Sequence, residues 1–226
     1  MFPSKVSSAI SIRNARKVYE GGVEALRGVS LEIRPGQVTA LLGRSGCGKT
    51  TMLNLCGAMD FVTSGEVEIE GKLTNTLDDA ALTALRRNRI GFIFQFFQLL
   101  PALTAQENVE MPLLLAGAKN AAATALERLT WVGIPEKAKS LPFQLSGGQM
   151  QRVAIARAMA HNPAILVADE PTGNLDTASG DVVLQLIRRA ADEFGAAVVM
   201  ATHSLEAAAI ADVKVRMRDG HIESVE

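Results

Sequence analysis

The chain has 226 residues, 48% hydrophobic and 21% charged, with a formal net charge of −1. This size and composition predict one large globular domain with a lobed or inserted subdomain. The near-neutral charge gives no electrostatic case for bulk nucleic-acid binding, although a local basic patch remains open.

The lack of a recognisable targeting signal and the two cysteines predict a cytoplasmic protein. No apolar run reaches the ~18 residues that a membrane-spanning helix needs. The segment 1–14 lacks the apolar core of a signal peptide. Cys47 and Cys56 are expected to be a reduced intracellular pair and not a disulfide. We therefore expect a soluble, cytoplasmic protein whose membrane role, if any, depends on a partner.

The first third of the chain alternates short apolar runs with turns. Strands are predicted at 10–19, 29–33, 37–42 and 65–71, with Pro35-Gly36 as a turn. The strand at 37–42 runs directly into GRSGCGKT, which is Gly43 to Thr50, and a helix is predicted to follow. An incidental glycine-rich turn is the bland alternative for this segment. Its position between a strand and a helix favours a phosphate-binding P-loop, with Lys49 reaching the phosphates and Thr50 binding Mg²⁺.

The run IGFIFQFFQLLP is unusually aromatic. It holds four of the eight phenylalanines, and its alternation predicts a strand through Gln95 followed by an apolar loop. The sequence leaves two alternatives for the apolar side chains of this loop. They belong to the core, or they form a docking surface for another protein. These side chains are Phe96, Phe97, Leu99 and Leu100.

The middle of the chain reads as helical. Thr104 and Glu107 have the spacing of a capping box, and Pro112 is predicted to break or kink the helix. Asn120 is predicted to cap the next helix and Gly133 to end it. This helical middle looks like an insertion into an α/β domain.

The motif LSGGQ, residues 145–149, opens a further predicted helix. A helix N-terminus offers free N–H groups and partial positive charge, which suit a phosphate. Ser146, Gly147 and Gly148 therefore make a second phosphate-binding helix start in a chain that has one P-loop.

The last third predicts strand, helix, strand and a terminal hairpin at Asp219-Gly220. The strand ILVAD ends in Asp169 and is followed by Glu170, and the next strand is followed by His203. Taken alone, these acids suit a cap or an ion pair, and a lone histidine is more often structural. Beside a P-loop, we interpret Asp169 as an outer-sphere Mg²⁺ ligand, Glu170 as the base for water, and His203 as a γ-phosphate contact.

The P-loop, Gln95, LSGGQ, ILVADE and His203, in this order and spacing, resemble the nucleotide-binding subunit of an ABC (ATP-binding cassette) transporter. The resemblance covers almost the whole chain. It implies an α/β fold: a P-loop NTPase (RecA-like) core, an N-terminal antiparallel β subdomain and an inserted α-helical subdomain. The approximate bounds are 1–95 and 161–226 for the core with its β subdomain, and 96–160 for the helical subdomain with the signature motif.

The resemblance also implies a set of site residues. Catalysis would involve Glu170, His203, Lys49 and Gln95, and Mg²⁺ would be held by Thr50 and Gln95 and, through water, by Asp169. In this family two subunits face head to tail, so that the LSGGQ of one closes on ATP held by the P-loop of the other. The ATP-binding residues would be Tyr19 (which stacks on adenine), Gly43, Arg44, Ser45, Gly46, Cys47, Gly48, Lys49, Thr50, Thr51 and Gln95, and in trans Ser146, Gly147, Gly148, Gln149 and Asp176.

A finer resemblance connects FQFFQLLPALTAQENVEMPLLLAG and DEPTGNLD to the lipoprotein-release, macrolide-efflux and cell-division ATPases. It implies an ATPase that drives integral membrane permease subunits from the cytoplasmic face of the membrane, with a second copy of itself as the dimer partner. Two departures stand out: the P-loop carries Arg44 where proline is more usual, and MDFVTSGEV replaces LDxPTSGEV.

Two other function classes compete with a transporter ATPase. Soluble relatives that act on DNA or ribosomes carry coiled-coil insertions, zinc-binding cysteines or two cassettes, and none is found in this sequence. A small-molecule P-loop kinase has no use for LSGGQ. We therefore expect ATP and Mg²⁺ as ligands and no nucleic-acid partner.

Overall fold

The computed structural model describes residues 8–226, and the strands form two sheets. The first is antiparallel, in the order β2-β1-β4-β5. Its strands are β1 (Ile10–Val18), β2 (Glu24–Ile33), β4 (Ser64–Ile69) and β5 (Lys72–Leu73). The second has the order β10-β9-β3-β8-β7-β6. Its strands are β3 (Val38–Leu42), β6 (Ile90–Ile93), β7 (Ile165–Asp169), β8 (Ala197–Thr202), β9 (Val213–Arg218) and β10 (His221–Val225).

Helices cover the second sheet and fill the middle of the chain. They are α1 (Lys49–Cys56), α2 (Asp79–Arg89), α3 (Ala105–Leu115), α4 (Ala121–Trp131), α5 (Gly147–Ala158), α6 (Thr177–Phe194) and α7 (Leu205–Ala208). Among the described residues, no helix is long and apolar enough to cross a membrane. Residues 1–7, on which the signal-peptide prediction partly rests, lie outside the described part of the chain.

The second sheet is mostly parallel, and its central strands are apolar on both faces, as expected for a sheet that helices cover on both sides. Strands β3, β6, β7, β8 and β9 pair in parallel, and every residue of β3 and β8 is buried. Side chains of β3 alternate between two cores: Ala40 and Leu42 pack into one and Leu41 into the other. The predicted α/β fold is confirmed. The carboxyl ends of β3, β7 and β8 therefore meet at one edge of the sheet.

Helices α3, α4 and α5 pack together as a helical lobe. The predicted capping box at the start of α3 is confirmed, since Glu107 N donates to Thr104 Oγ1 (3.3 Å) and Thr104 N donates to Glu107 Oε2 (2.7 Å). Of the predicted break or kink at Pro112, the break is wrong, and the kink stays a prediction. The helix continues to Leu115, because this proline lies in the last turn and its carbonyl still accepts from Ala116 N (3.1 Å).

Two further local predictions are corrected. Asn120 stands at the N-cap position of α4 but makes no side-chain cap bond, because its ψ of 35° departs from the extended geometry of a capping residue. Strand β6 ends at Ile93, so the predicted strand through Gln95 is wrong. The chain turns there: Phe97 N donates to Phe94 O (3.2 Å), and Phe97 has a φ of 61°.

Other predictions hold. Asp219 and Gly220 both have positive φ (47° and 81°) and join β9 to β10 as a hairpin. Cys47 and Cys56 are free and buried, and burial raises the pKa of the Cys56 thiol to about 12. Helix α2 is not anticipated by the sequence pattern. The approximate bounds of core and helical subdomain stay a prediction.

Candidate functional site

The GRSGCGKT segment forms the loop between β3 and α1. Two of its glycines are fixed by close backbone approach: a Cβ on Gly43 would lie 2.4 Å from Met217 O, and one on Gly48 would lie 2.6 Å from Ala25 O. Gly48 also has a φ of 105°, which a residue with a side chain rarely adopts. The loop is therefore specified by packing against β2 and β9 as well as by turn geometry.

Lys49 begins α1 and folds back over this loop. Its side chain is nearly buried, and Nζ donates to Gly43 O (2.7 Å) and Arg44 O (3.1 Å). These two carbonyl bonds hold the Lys49 ammonium against the loop.

A cleft of about 520 Å³ opens in front of the loop. It brings together residues that follow three parallel strands, as expected for an open α/β sheet. Its lining is Ala25, Ser45, Gly46, Gly48, Lys49, Thr50, Thr51, Gln95, Asp169, Glu170 and His203. The predicted residues Gly43, Arg44 and Cys47 do not line it. They line a separate depression of about 560 Å³ with Met217, Arg216 and Arg218.

The acidic side of the cleft follows β7. Burial raises the pKa of Asp169; the charge of Glu170 raises it further and Lys49 opposes the rise. Glu170 has a φ of 45°, a conformation that is strained for a residue with a side chain. Its N–H donates to Ala201 O (3.0 Å), which anchors it to β8. The backbone therefore holds Glu170 in the cleft at a conformational cost.

His203 directly follows β8 and also lines the cleft. Its Nδ1 lies 2.9 Å from Glu170 Oε1, and its side chain is 73% exposed. An exposed imidazole with one carboxylate partner contributes little to the stability of the fold. The arrangement leaves Nε2 free to face a substrate in the cleft.

Gln95 reaches the cleft from the loop after β6. Its backbone carbonyl accepts from Asn174 Nδ2 (3.0 Å). Its side-chain amide packs closely on Gly173: a Cβ on that glycine would lie 2.9 Å from Gln95 Nε2. The loop that carries Gln95 is therefore connected to the loop that follows Glu170.

The LSGGQ motif does not line the cleft of its own chain. Ser146 is the exposed N-cap of α5: Gln149 N donates to Ser146 Oγ (3.3 Å), and Ser146 N donates to Gln149 Oε1 (3.0 Å). Gly148 is buried, and a Cβ there would lie 2.6 Å from Ser179 Oγ. The motif thus forms a capped helix start outside the cleft of its own chain.

Asp176 is fixed beside the same helix start. It is the N-cap of α6 and accepts from Ser179 N (2.9 Å) and Ser179 Oγ (2.8 Å). These bonds, led by the one from the Ser179 backbone, hold the pKa of Asp176 below its usual range. Ser179 therefore joins the N-terminus of α6 to Gly148.

Tyr19 lies beside the cleft rather than in its wall. Its ring is 38% exposed, and its hydroxyl lies 3.0 Å from Asp60 Oδ2 and 3.4 Å from Thr51 Oγ1. Thr51 lines the cleft, so the ring stands next to the P-loop helix.

Two further residues near the cleft were not predicted from the sequence. Ala25 lines the cleft from β2. Gln151 on α5 is fully buried and donates through Nε2 to Pro171 O (2.7 Å). It connects the LSGGQ helix to the residue after Glu170. A polar side chain on an otherwise apolar helix face was the only signal in the sequence.

The apolar loop after Gln95 divides between core and surface. Phe96 is 68% exposed and Leu100 is 44% exposed. Phe97 is half-buried, and Leu99 packs against the core of the helical lobe. Arg157 holds the turn by donating to Phe97 O (2.8 Å) and Gln98 O (2.5 Å).

Next to this loop lies a groove of about 500 Å³ between α2, α3 and the end of α5. Phe94 and Gln98, which flank Phe96 along the chain, both line it. Its walls combine apolar and basic side chains, and no carboxylate is among the residues that line it. These side chains include Arg86, Arg87, Phe92, Met111, Arg157 and His161.

Comparison with known proteins gives consistent matches. The sequence profile of the ABC transporter family matches residues 26–173. The chain is 46% identical to macrolide export ATP-binding/permease protein MacB of Syntrophobacter fumaroxidans, over 95% of this chain and 31% of that protein. It is 42% identical to lipoprotein-releasing system ATP-binding protein LolD 2 of Caulobacter vibrioides, over 95% of this chain and 96% of that protein.

A solved structure of an ATP-binding cassette also matches the chain over nearly its full length. It is the dimeric post-hydrolysis state of the ATP-binding cassette MJ0796, from Methanocaldococcus jannaschii, bound to ADP and Pi. The TM-score is 0.88 at 43% identity, and the match covers 96% of this chain and 97% of that chain.

Proposed function

The chain belongs to the ABC transporter family, and we propose that it is the ATP-hydrolysing motor subunit of a transporter. In this function two copies close around two ATP molecules, and the closure drives a conformational change in membrane permease subunits. The observation that carries the proposal is the separation within one chain of the P-loop cleft from the LSGGQ helix start.

Substrate binding begins at the P-loop. Its N–H groups and Lys49 are placed to hold the β- and γ-phosphates, and Tyr19 is placed to stack on the adenine base. Thr50, Gln95 and Asp169 all present oxygen atoms to the same cleft, and oxygen ligands are those that Mg²⁺ prefers. These residues fit the ion, Asp169 through water, and the bound ion would neutralise phosphate charge.

Hydrolysis is assigned to two side chains that line the cleft and contact each other. Glu170 orients and deprotonates the attacking water, and its fixed backbone supports this role. His203 contacts the γ-phosphate through Nε2, while Nδ1 stays on Glu170. Gln95 joins the water and ion sites to the loop after Glu170.

The second half of each site comes from the other copy. Ser146 is exposed at a helix start, where free N–H groups and the helix dipole favour a phosphate. We assign Ser146, Gly147, Gly148 and Gln149 to the γ-phosphate held by the partner copy, with Asp176 beside them. Two-fold symmetry then gives two equal composite sites.

A mixing experiment tests this assignment. Lys49→Ala removes the P-loop function, and Ser146→Arg blocks the LSGGQ surface with bulk and charge. Each variant alone should be inactive, but their mixture forms a heterodimer with one intact composite site. Recovery of ATP hydrolysis on mixing supports the proposal. If the mixture stays inactive while both variants still bind each other, the site is completed within one chain and the proposal fails.

The membrane partner is proposed to dock beside Phe96. This side chain is exposed next to the basic and apolar groove, whose charge suits an acidic, apolar cytoplasmic segment of a permease subunit. Docking there transmits movement of the Gln95 loop to the partner. It places the chain at the cytoplasmic face of the membrane.

A further inference from the structure

Tyr19 is held in place by an ion pair that lies against its ring. Lys17 is in β1, and Tyr19 directly follows the last residue of that strand, Val18. Lys17 Nζ lies 4.8 Å from the centre of the Tyr19 ring. It also forms a salt bridge with Asp60 Oδ1 and donates to Phe61 O (2.8 Å). The cation therefore covers one face of the ring.

Asp60 connects this cluster to the P-loop helix. Its second carboxylate oxygen lies 3.0 Å from the Tyr19 hydroxyl, and Phe61 N donates to the first (2.7 Å). Thr51, in the first turn of α1, lies 3.4 Å from the same hydroxyl. Asp60 follows the end of α1, so residues at both ends of the P-loop helix contact the tyrosine.

The cluster is tightly built. The Lys17 and Asp60 side chains are 13% and 23% exposed. Burial alone would raise the pKa of Asp60, but bonds from Lys17, Phe61 N and Tyr19 outweigh it and lower the pKa. The carboxylate therefore stays charged and keeps Lys17 over the ring.

We propose that Lys17 and Asp60 position Tyr19 for the nucleotide base, with Lys17 covering one ring face so that adenine stacks on the other. This inference rests on the proposed function, which places the base at Tyr19. A cation over one face draws electron density from the ring, which makes the opposite face a better partner for an electron-rich purine. Because Asp60 and Thr51 hold the hydroxyl, the distance between base site and phosphate site is set by α1.

The test compares a ligand that has a base with one that has none. Binding of ATP and of tripolyphosphate is measured by titration calorimetry without Mg²⁺, so that nothing is hydrolysed. Lys17→Met keeps the length of the side chain and removes its charge. We expect the ATP dissociation constant to rise by about two- to fivefold, the lower range for loss of a cation–π contact, with tripolyphosphate binding unchanged. Lys17→Arg should restore ATP binding, and the exposed Lys72→Met is the matched control.

Several outcomes would overturn the inference. Unchanged ATP binding by Lys17→Met, or an equal loss for ATP and tripolyphosphate, would mean that Lys17 does not act through the base. Tyr19→Ala separates this failure from that of the base site itself. If Tyr19→Ala weakens only ATP while Lys17→Met does nothing, the base site stands and the role of Lys17 falls. If Tyr19→Ala leaves ATP binding intact, the base is not at Tyr19.

A structural readout is available because Tyr19 is the only tyrosine of the chain. Ring-labelled tyrosine gives one set of NMR resonances. These should shift on addition of ATP but not of tripolyphosphate. In Asp60→Asn the shift should shrink, because the Lys17 cation is no longer held over the ring. A full shift in Asp60→Asn would contradict the positioning role.

Discussion

His203 Nδ1 and Glu170 Oε1 lie 2.9 Å apart in the cleft and connect the residues that follow β8 and β7. The histidine is mostly exposed, whereas the glutamate is mostly buried and held in a left-handed backbone conformation. The pair therefore joins an exposed side chain to one whose backbone is held in place. Such an arrangement suits a fixed base for water beside a phosphate contact that is open to the substrate.

Glu170→Gln should bind ATP and hydrolyse it about 10²–10⁴-fold more slowly, because the amide cannot accept a proton. With hydrolysis blocked, the variant should accumulate as an ATP-bound dimer. Size-exclusion chromatography with ATP and single-turnover hydrolysis measure both effects. Glu136→Gln, at an exposed position outside the cleft, is the control. A variant that stays monomeric with ATP and turns over normally would refute the base assignment.

His203→Ala should lower turnover by about 10²–10³-fold, the usual loss of one donor to a developing negative charge. Its thermal stability should match the wild type, because the side chain is 73% exposed. ATP affinity should change much less than turnover. Hydrolysis and melting temperature are measured on the same preparation, and wild-type turnover would remove His203 from the phosphate contact.

Ser146→Arg should abolish ATP-dependent dimerisation while leaving ATP binding by the single chain intact. It also removes the N-cap of α5, a loss of about 1 kcal/mol. Thr104→Arg removes the cap of α3 and serves as the matched control for stability. Light scattering with ATP should show dimers for the control only. Equal dimerisation by both variants would mean that the LSGGQ surface is not at the interface.

Phe96→Asp should weaken binding to the membrane partner and spare ATP binding, because Phe96 is exposed and contributes little to the core. Phe97 is half-buried and is therefore a poorer probe. Val225→Asp, at another exposed apolar position, is the control. Co-purification from detergent-solubilised membranes measures the effect. Full recovery of the partner with Phe96→Asp would remove this loop from the docking surface.

Asp212→Asn should destabilise the fold at neutral pH and matter less in acid. Burial raises the pKa of Asp212, but bonds from Arg188 (2.7 Å) and Val38 N (2.8 Å) outweigh it and lower the pKa. Because the folded pKa lies below the unfolded value of about 3.9, the stabilisation is present above that pH. It is lost as the pH falls through the folded pKa. The gap in melting temperature between wild type and variant should therefore narrow in acid, and a constant gap would contradict the pairing.

Local sequence patterns were sufficient to predict the fold class and most of the cleft. Apolar strands that end in GRSGCGKT, in Asp169 and Glu170, and before His203 must form a buried parallel sheet. Such a sheet brings its carboxyl ends to one edge. The spacing of apolar residues in a strand and the motif that follows it are both properties of a short segment. These residues could therefore be predicted without knowledge of tertiary contacts.

Which of the predicted residues share that edge depends on how the helices and sheets pack. Arg44 belongs to the P-loop in sequence but lines the depression beside β9, and LSGGQ lies outside the cleft of its own chain. Phe96 and Phe97 are neighbours, yet a turn with positive φ exposes the first more than the second. The Lys17–Asp60 pair joins residues far apart in the chain. Each outcome depends on contacts between distant segments, and these arise only when the helices and sheets pack.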